Sequence, residues 1–183
     1  AFATPNRVYL LDRTGSDVTG FPLKFNNKIT QPLSVFDYDK RKNYRLFITQ
    51  DKNLLLYDAK GKTDKGFKFS SAKKTIHQPQ HIRIGNKDYV LIKTDNKLNI
   101  LTRRGQTRIK VAAELEFSNE AIYNYNNTFT TTTADGKIIS IDQNGKVDTK
   151  AYNLTKKHHL ATTTKTLASQ NEHILNIKSN RLE

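Results

Sequence analysis

Four stretches of this chain repeat one pattern, and that repetition limits the fold more than any other feature. Each is an apolar run, a short polar turn, and a glycine. The runs begin at Val8, Leu54, Leu98 and Ile138, and the glycines are Gly15, Gly61, Gly105 and Gly145, spaced 46, 44 and 40 residues apart. A second feature keeps the same phase. A polar turn precedes each run: Pro5-Asn6-Arg7, Asp51-Lys52-Asn53, Asp95-Asn96-Lys97 and Asp135-Gly136-Lys137. Ser179-Asn180-Arg181 falls where a fifth is due. Asn, Asp and Gly accept the backbone angles of tight hairpins, so each turn is read as joining two antiparallel strands.

Further runs fill out the unit. Phe2-Ala3-Thr4 and runs at 44–48, 88–92, 128–132 and 173–177 lead into the turns. Earlier runs lie at 33–37, 81–84, 121–124 and 159–162. Shorter ones follow the glycines at 20–25, 66–69 and 108–111, with a weak one near Val147. β-branched and aromatic residues dominate, and a period near two outnumbers helical spacing. At most one helical turn is expected, near 111–116. The unit is therefore four strands, a to d, in about 45 residues, the period of a β-propeller blade. A β-sandwich is the alternative, but it has no reason to repeat at this interval.

The expected architecture is one all-β domain over 1–183, a β-propeller of four blade-equivalents, either a closed ring or an arc of a larger propeller. Whole blades are expected at 26–69, 70–111 and 112–150, with partial ones at 1–25 and 151–183. Both ends read as cut ends, so the chain is expected to be part of a larger bacterial protein, with the periplasm or cell envelope favoured over the cytoplasm.

The run Leu56-Tyr57-Asp58-Ala59-Lys60-Gly61 resembles the strand-c signature of PQQ-like propeller repeats. The stretch from Asp37 to Arg45 resembles the calcium loop of FG-GAP-like blades. The first resemblance implies a propeller fold and, in quinoprotein relatives, a quinone cofactor. Those relatives carry a Trp soon after the glycine turn; this chain has no Trp, and Phe21 and Phe67 stand there instead. In the second, Asp37, Asp39 and Asn43 supply oxygens, but Arg41 and Arg45 occupy positions where a cation needs ligands. No cofactor and no metal are expected.

The formal net charge is +14, and its placement matters more than its size. Residues 40–110 hold 19 Lys or Arg and 5 Asp or Glu; the rest of the chain holds 12 of each sign. A basic sector of this kind attracts polyanions such as nucleic acid. The candidate contacts are Lys40, Arg41, Lys42 and Arg45 on one a–b turn, and Arg103, Arg104, Arg108 and Lys110 around one c–d turn. Strand a is innermost in a propeller, so Ser34, Phe36, His81, Arg83, Tyr123 and His159 are candidates to line the channel. The intervening Val35, Ile82, Ile122 and Leu160 are expected to pack between blades.

Chemistry-bearing motifs are few. The chain has no Cys, which excludes disulfides, zinc–thiolate sites and thiol catalysis. Pro79 between His77 and His81 forbids the helix that would bring both to one metal. Asp12, Asp58 and Asp142 recur with the period, which fits a turn role better than catalysis. No catalytic residue is assigned, and no run reaches the length of a membrane span. The expected function is a non-catalytic interaction or scaffold module, binding a protein partner or the rest of its parent chain. Polyanion binding and a fragment of a quinoprotein-like enzyme are the alternatives.

Overall fold

A computed structural model describes residues 1–151, 160, 177–178 and 181–182. Among them the chain is all β, with four antiparallel sheets of three or four strands, a terminal hairpin and no helix. Each sheet is a meander. The first holds β1 (Phe2–Thr4), β2 (Arg7–Tyr9) and β3 (Leu23–Lys24). The second holds β4 (Ser34–Phe36), β5 (Arg45–Gln50) and β6 (Asn53–Asp58). The third holds β7 (Gln80–Ile84), β8 (Lys87–Lys93), β9 (Leu98–Leu101) and β10 (Thr107–Ile109). The fourth holds β11 (Tyr123–Tyr125), β12 (Thr128–Thr132), β13 (Lys137–Ile141) and β14 (Val147–Ala151). β15 (Ile177–Lys178) and β16 (Arg181–Leu182) form the hairpin.

The central strands of the second and third sheets are apolar on both faces, because each of these two sheets is covered on both sides. In the second sheet, Leu46 and Ile48 pack toward the first, beside Val8. Phe47, Leu54 and Leu56 pack the other way, against Val90, Ile92 and Leu101 of the third. Tyr89, Leu91, Leu98 and Ile100 then meet Phe129, Ile139 and Ile141 of the fourth. In these two sheets period-two alternation therefore separates two cores rather than a core from solvent.

One seam recurs at every junction. The turns that end in Gly61, Gly105 and Gly145 press against the last segment of the preceding unit. A Cβ on Gly61 would lie 2.5 Å from the Gly20 carbonyl oxygen, one on Gly105 2.8 Å from that of Lys68, and one on Gly145 2.4 Å from that of Lys110. All three also have positive φ, so only glycine serves both the turn and the contact. Linkers repeat as well: the amides of Thr30, Ile76 and Ser118 donate to the carbonyls of Thr49, Lys93 and Thr132 at the ends of the second strands.

The periodic acids hold the turns. Asp12 Oδ1 accepts the amides of Thr14 and Ser16, Asp58 Oδ1 those of Lys60 and Lys62, and Asp142 Oδ1 those of Asn144 and Lys146. Thr102 does the same with its hydroxyl for Arg104 and Gln106. These are turn caps by short polar side chains.

Three expectations change. Segment 66–69 is not a ladder strand: Phe67 is buried in the core and the Lys68 amide bonds Arg104 of the next sheet, so the second sheet keeps three strands. The weak run near Val147 is instead a full strand, paired with β13 over five residues. Val35 is 46% exposed rather than packed, because β4 buries its neighbours Ser34 and Phe36. Segment 111–116 is irregular; Leu115 and Phe117 bond back to the Asp95–Asn96 turn.

Candidate functional site

The third sheet carries the charged centre of the molecule. β7 and β8 pair Arg83 with Asp88 and His81 with Val90, which sets His81, Arg83 and Asp88 on one face. That face meets the second sheet. His81 Nε2 lies 2.8 Å from Asp88 Oδ1, and its ring stands edge-on to Tyr38 at 4.9 Å. Arg103, on the turn after β9, reaches Asp88 Oδ2 at 2.5 Å and Asp39 Oδ1 at 2.8 Å. Its guanidinium also lies 4.6 Å from the centre of the Tyr38 ring. Arg83 donates to the Tyr38 carbonyl at 3.1 Å and stands 3.9 Å from Asp88.

Asp88 is buried, and a buried carboxylate is tolerable only when paired and hydrogen-bonded. His81, Arg83 and Arg103 provide that. The Arg103 hydrogen bond lowers the Asp39 pKa below the ordinary carboxylate range. Burial raises the Tyr38 phenol pKa well above its usual value. The Tyr38 hydroxyl is enclosed and has no hydrogen-bond partner among the described residues.

A cleft of about 430 Å³ opens beside this cluster, between the a–b turn of the second sheet and the c–d turns. Arg45, Arg103 and Arg104 bring three cations to it; Asp39 and Asp64 bring two carboxylates. Arg45 is held by Asn43 Oδ1 at 2.6 Å and lies 3.7 Å from Asp64. The calcium-like loop has its oxygens engaged: Asp37 accepts the amides of Arg41 and Lys42, Asp39 binds Arg103, and Asn43 binds Arg45.

The two groups of basic candidates are thus neighbours in space, linked by the Arg103–Asp39 pair. Lys40, Arg41, Lys42 and Arg104 are exposed around them. Arg108 and Lys110 lie farther along the same turn and strand; Arg108 stacks 5.4 Å from the centre of the Tyr89 ring.

The channel candidates divide. Ser34 donates to the Pro79 carbonyl at 2.6 Å, and Tyr123 to the Leu160 carbonyl at 2.6 Å, so both tie one sheet to the chain of the next. Phe36 is buried against Phe47 and His81. His81 and Arg83 belong to the Asp88 cluster. His159 lies outside the described residues.

Two residues of consequence were not singled out from sequence. Asp88 is one. Lys93 is the other: it is 1% exposed and donates to the carbonyls of Ser118 and Glu120 and to Thr131 Oγ1 at 2.6 Å. Burial pushes its pKa down to about 7. The signal was an ionisable residue ending the apolar run Tyr89-Val90-Leu91-Ile92, where the register of the other sheets has Thr49 and Thr132. No protein-family model matches the chain, and no curated protein matches it.

Proposed function

We propose that this chain is a run of propeller-type blades acting as a non-catalytic interaction module of a larger bacterial protein. The observation that supports the reading is the repeated junction: the same glycine–carbonyl seam and the same linker hydrogen bond join each sheet to the next. The first strands also run beside one another. Gln80 donates to the Ile122 carbonyl and accepts from its amide, and Ser34 and Tyr123 make the analogous ties. Sheets joined at their first strands and stacked in series turn about an axis on that side.

The axis is testable because the chain is free of cysteine. Spin labels on Val35→Cys with Asn124→Cys report the spacing of first strands in the second and fourth sheets. Labels on Lys68→Cys with Lys150→Cys report that of the last segments. A turning array gives the longer distance for the second pair. Equal distances overturn it.

A second reading, polyanion binding, is favoured by the cleft that gathers Arg45, Arg103 and Arg104. Affinity for a labelled oligonucleotide should fall linearly on a log–log salt plot, with a slope of about −0.9 per phosphate neutralised. Arg104→Ala should weaken binding and flatten the slope. No binding at low salt removes the reading.

A further inference from the structure

The cleft beside the charged cluster is lined in a way that suits one anionic group better than a row of them. Guanidiniums of Arg45, Arg103 and Arg104 border it together with the carboxylates of Asp39 and Asp64, which leaves one net positive charge. Asp88, behind this wall, is already met by Arg103 and Arg83. A nucleic-acid strand carries one charge about every 3.4 Å, so phosphates on either side of a bound one would run past the two carboxylates. The remainder of the lining is apolar: Leu56, Phe67 and the ring of Tyr38 present side chains of the core beneath. At about 430 Å³ the space admits a body the size of an aromatic amino acid.

Donors are left over around it. Arg103 meets both of its carboxylates through Nη2, and Arg45 meets Asn43 and the Tyr44 carbonyl through Nη1. Each fork keeps further N–H groups. The Arg104 guanidinium has no partner among the described residues. Tyr38 supplies an independent sign. It is 8% exposed, and its hydroxyl is a buried group that lacks an acceptor among the described residues. Buried hydroxyls are normally paired, and an oxygen held by the neighbouring arginines would supply what this one lacks.

We propose that the cleft is a site for a single carboxylate carried on an apolar body, with the carboxylate on Arg45 and Arg104 and the apolar part over Leu56, Phe67 and Tyr38. Planar guanidinium forks match a carboxylate through paired hydrogen bonds. Two sources present this chemistry: the C-terminal residue of a partner polypeptide and a free aromatic acid. The inference rests on the reading of the chain as a binding module, and it competes with an oligonucleotide for the same cleft.

A ligand-observed NMR titration of the whole 183-residue chain with N-acetyl-phenylalanine tests it. The acid should saturate one site. N-acetyl-phenylalaninamide, which lacks the charge, and acetate, which lacks the ring, should each bind about tenfold more weakly or worse. Arg104→Gln should weaken the acid about fivefold and keep the wild-type melting curve, because that side chain has no partner to lose. Tyr38→Phe should weaken it as well without lowering stability, since the hydroxyl it deletes is unpaired in the free protein. A peptide ending in phenylalanine that binds more tightly than the acid identifies a partner's C-terminus as the source; equal affinity identifies a free acid. Equal binding of acid and amide overturns the proposal, as does an affinity untouched by Arg104→Gln. A thymidine oligonucleotide that binds where the acid does not overturns it in favour of the polyanion. The spin-label distances test the module separately, so they stand if this site fails.

Discussion

The junction between the second and third sheets buries an anion; the junction between the third and fourth buries a cation. The first is aromatic, with Phe36, Phe47 and Phe67 in contact, and its charge is Asp88. The second is largely aliphatic, and its charge is Lys93. Asp88 has the Arg103 guanidinium on one oxygen and His81 Nε2 within hydrogen-bond distance of the other, with Arg83 3.9 Å away. Among the described residues Lys93 donates to neutral oxygens, and the Glu120 charge offsets only part of its burial. Opposite charges offset most of the desolvation of an ion, while neutral acceptors satisfy its donors but leave its charge costly. The same seam therefore supports one junction locked by ion pairs and another that responds to proton concentration.

The largest expected effect is at the locked junction. Asp88→Ala leaves Arg103 and His81 facing each other without the carboxylate between them. Removing one partner of a buried pair costs about 3–5 kcal/mol. Urea denaturation should show that loss, and a change below about 1 kcal/mol would mean that Arg103 is held well enough by Asp39 and Tyr38 alone.

The seam comes next. Gly145→Ala adds a methyl against the Lys110 carbonyl, at φ of 85°; Gly15→Ala adds one at φ of 84° in open space. The shared backbone strain cancels in the difference. What remains is overpacking at the junction, about 2 kcal/mol by thermal or chemical denaturation. Gly105→Ala should resemble Gly145→Ala, since both junctions use the same contact. If it resembles Gly15→Ala, the two junctions differ in packing as well as in charge.

At the proton-sensitive junction the sign is fixed by Lys93. Unfolded, it holds its proton to about the ordinary 10.5; folded, only to about 7. Between those values the unfolded chain binds more protons, so this residue makes the fold more stable as pH rises. Below pH 7 the charge is buried at full cost; above 10.5 the difference is complete. From pH 7 to 9 the gain is about 2 kcal/mol. Lys93→Met keeps the bulk and has no proton to lose, so the difference between wild type and variant should grow by that amount over the interval. A constant difference would show that the ammonium keeps its proton through the range.

Much of this architecture was readable in the order of residues. The central strands announced themselves because hairpin turns and apolar runs recur together, and local repetition survives without knowledge of the fold. The periodic aspartates were readable for the same reason, since their hydrogen bonds reach only two to four residues ahead. The charged cluster was not. Arg103 meets Asp39 across 64 positions, and no spacing rule spans that distance. Segment 66–69 looks like a strand by composition, but Phe67 and Lys68 serve the neighbouring sheet, which only the junction reveals. Strand a was misjudged at Val35 because a three-residue strand with two buried neighbours leaves its middle side chain outward.

The smallest effect separates folding from binding at the cleft. Arg45 is a quarter exposed and lies 3.7 Å from an exposed Asp64 carboxylate. A solvent-screened pair of that geometry contributes about 0–1 kcal/mol. Arg45→Ala should therefore leave the denaturation midpoint almost unchanged. It removes one of three cations from the cleft, so oligonucleotide affinity at low salt should drop severalfold and the salt slope should lessen by about one phosphate. At the third–fourth junction the buried cation is enclosed, and Lys93→Met should leave oligonucleotide affinity where it was. If both substitutions weaken binding equally, the basic charge acts through the field of the whole chain, and the cleft between the second and third sheets loses its claim to be the place where an anion is held.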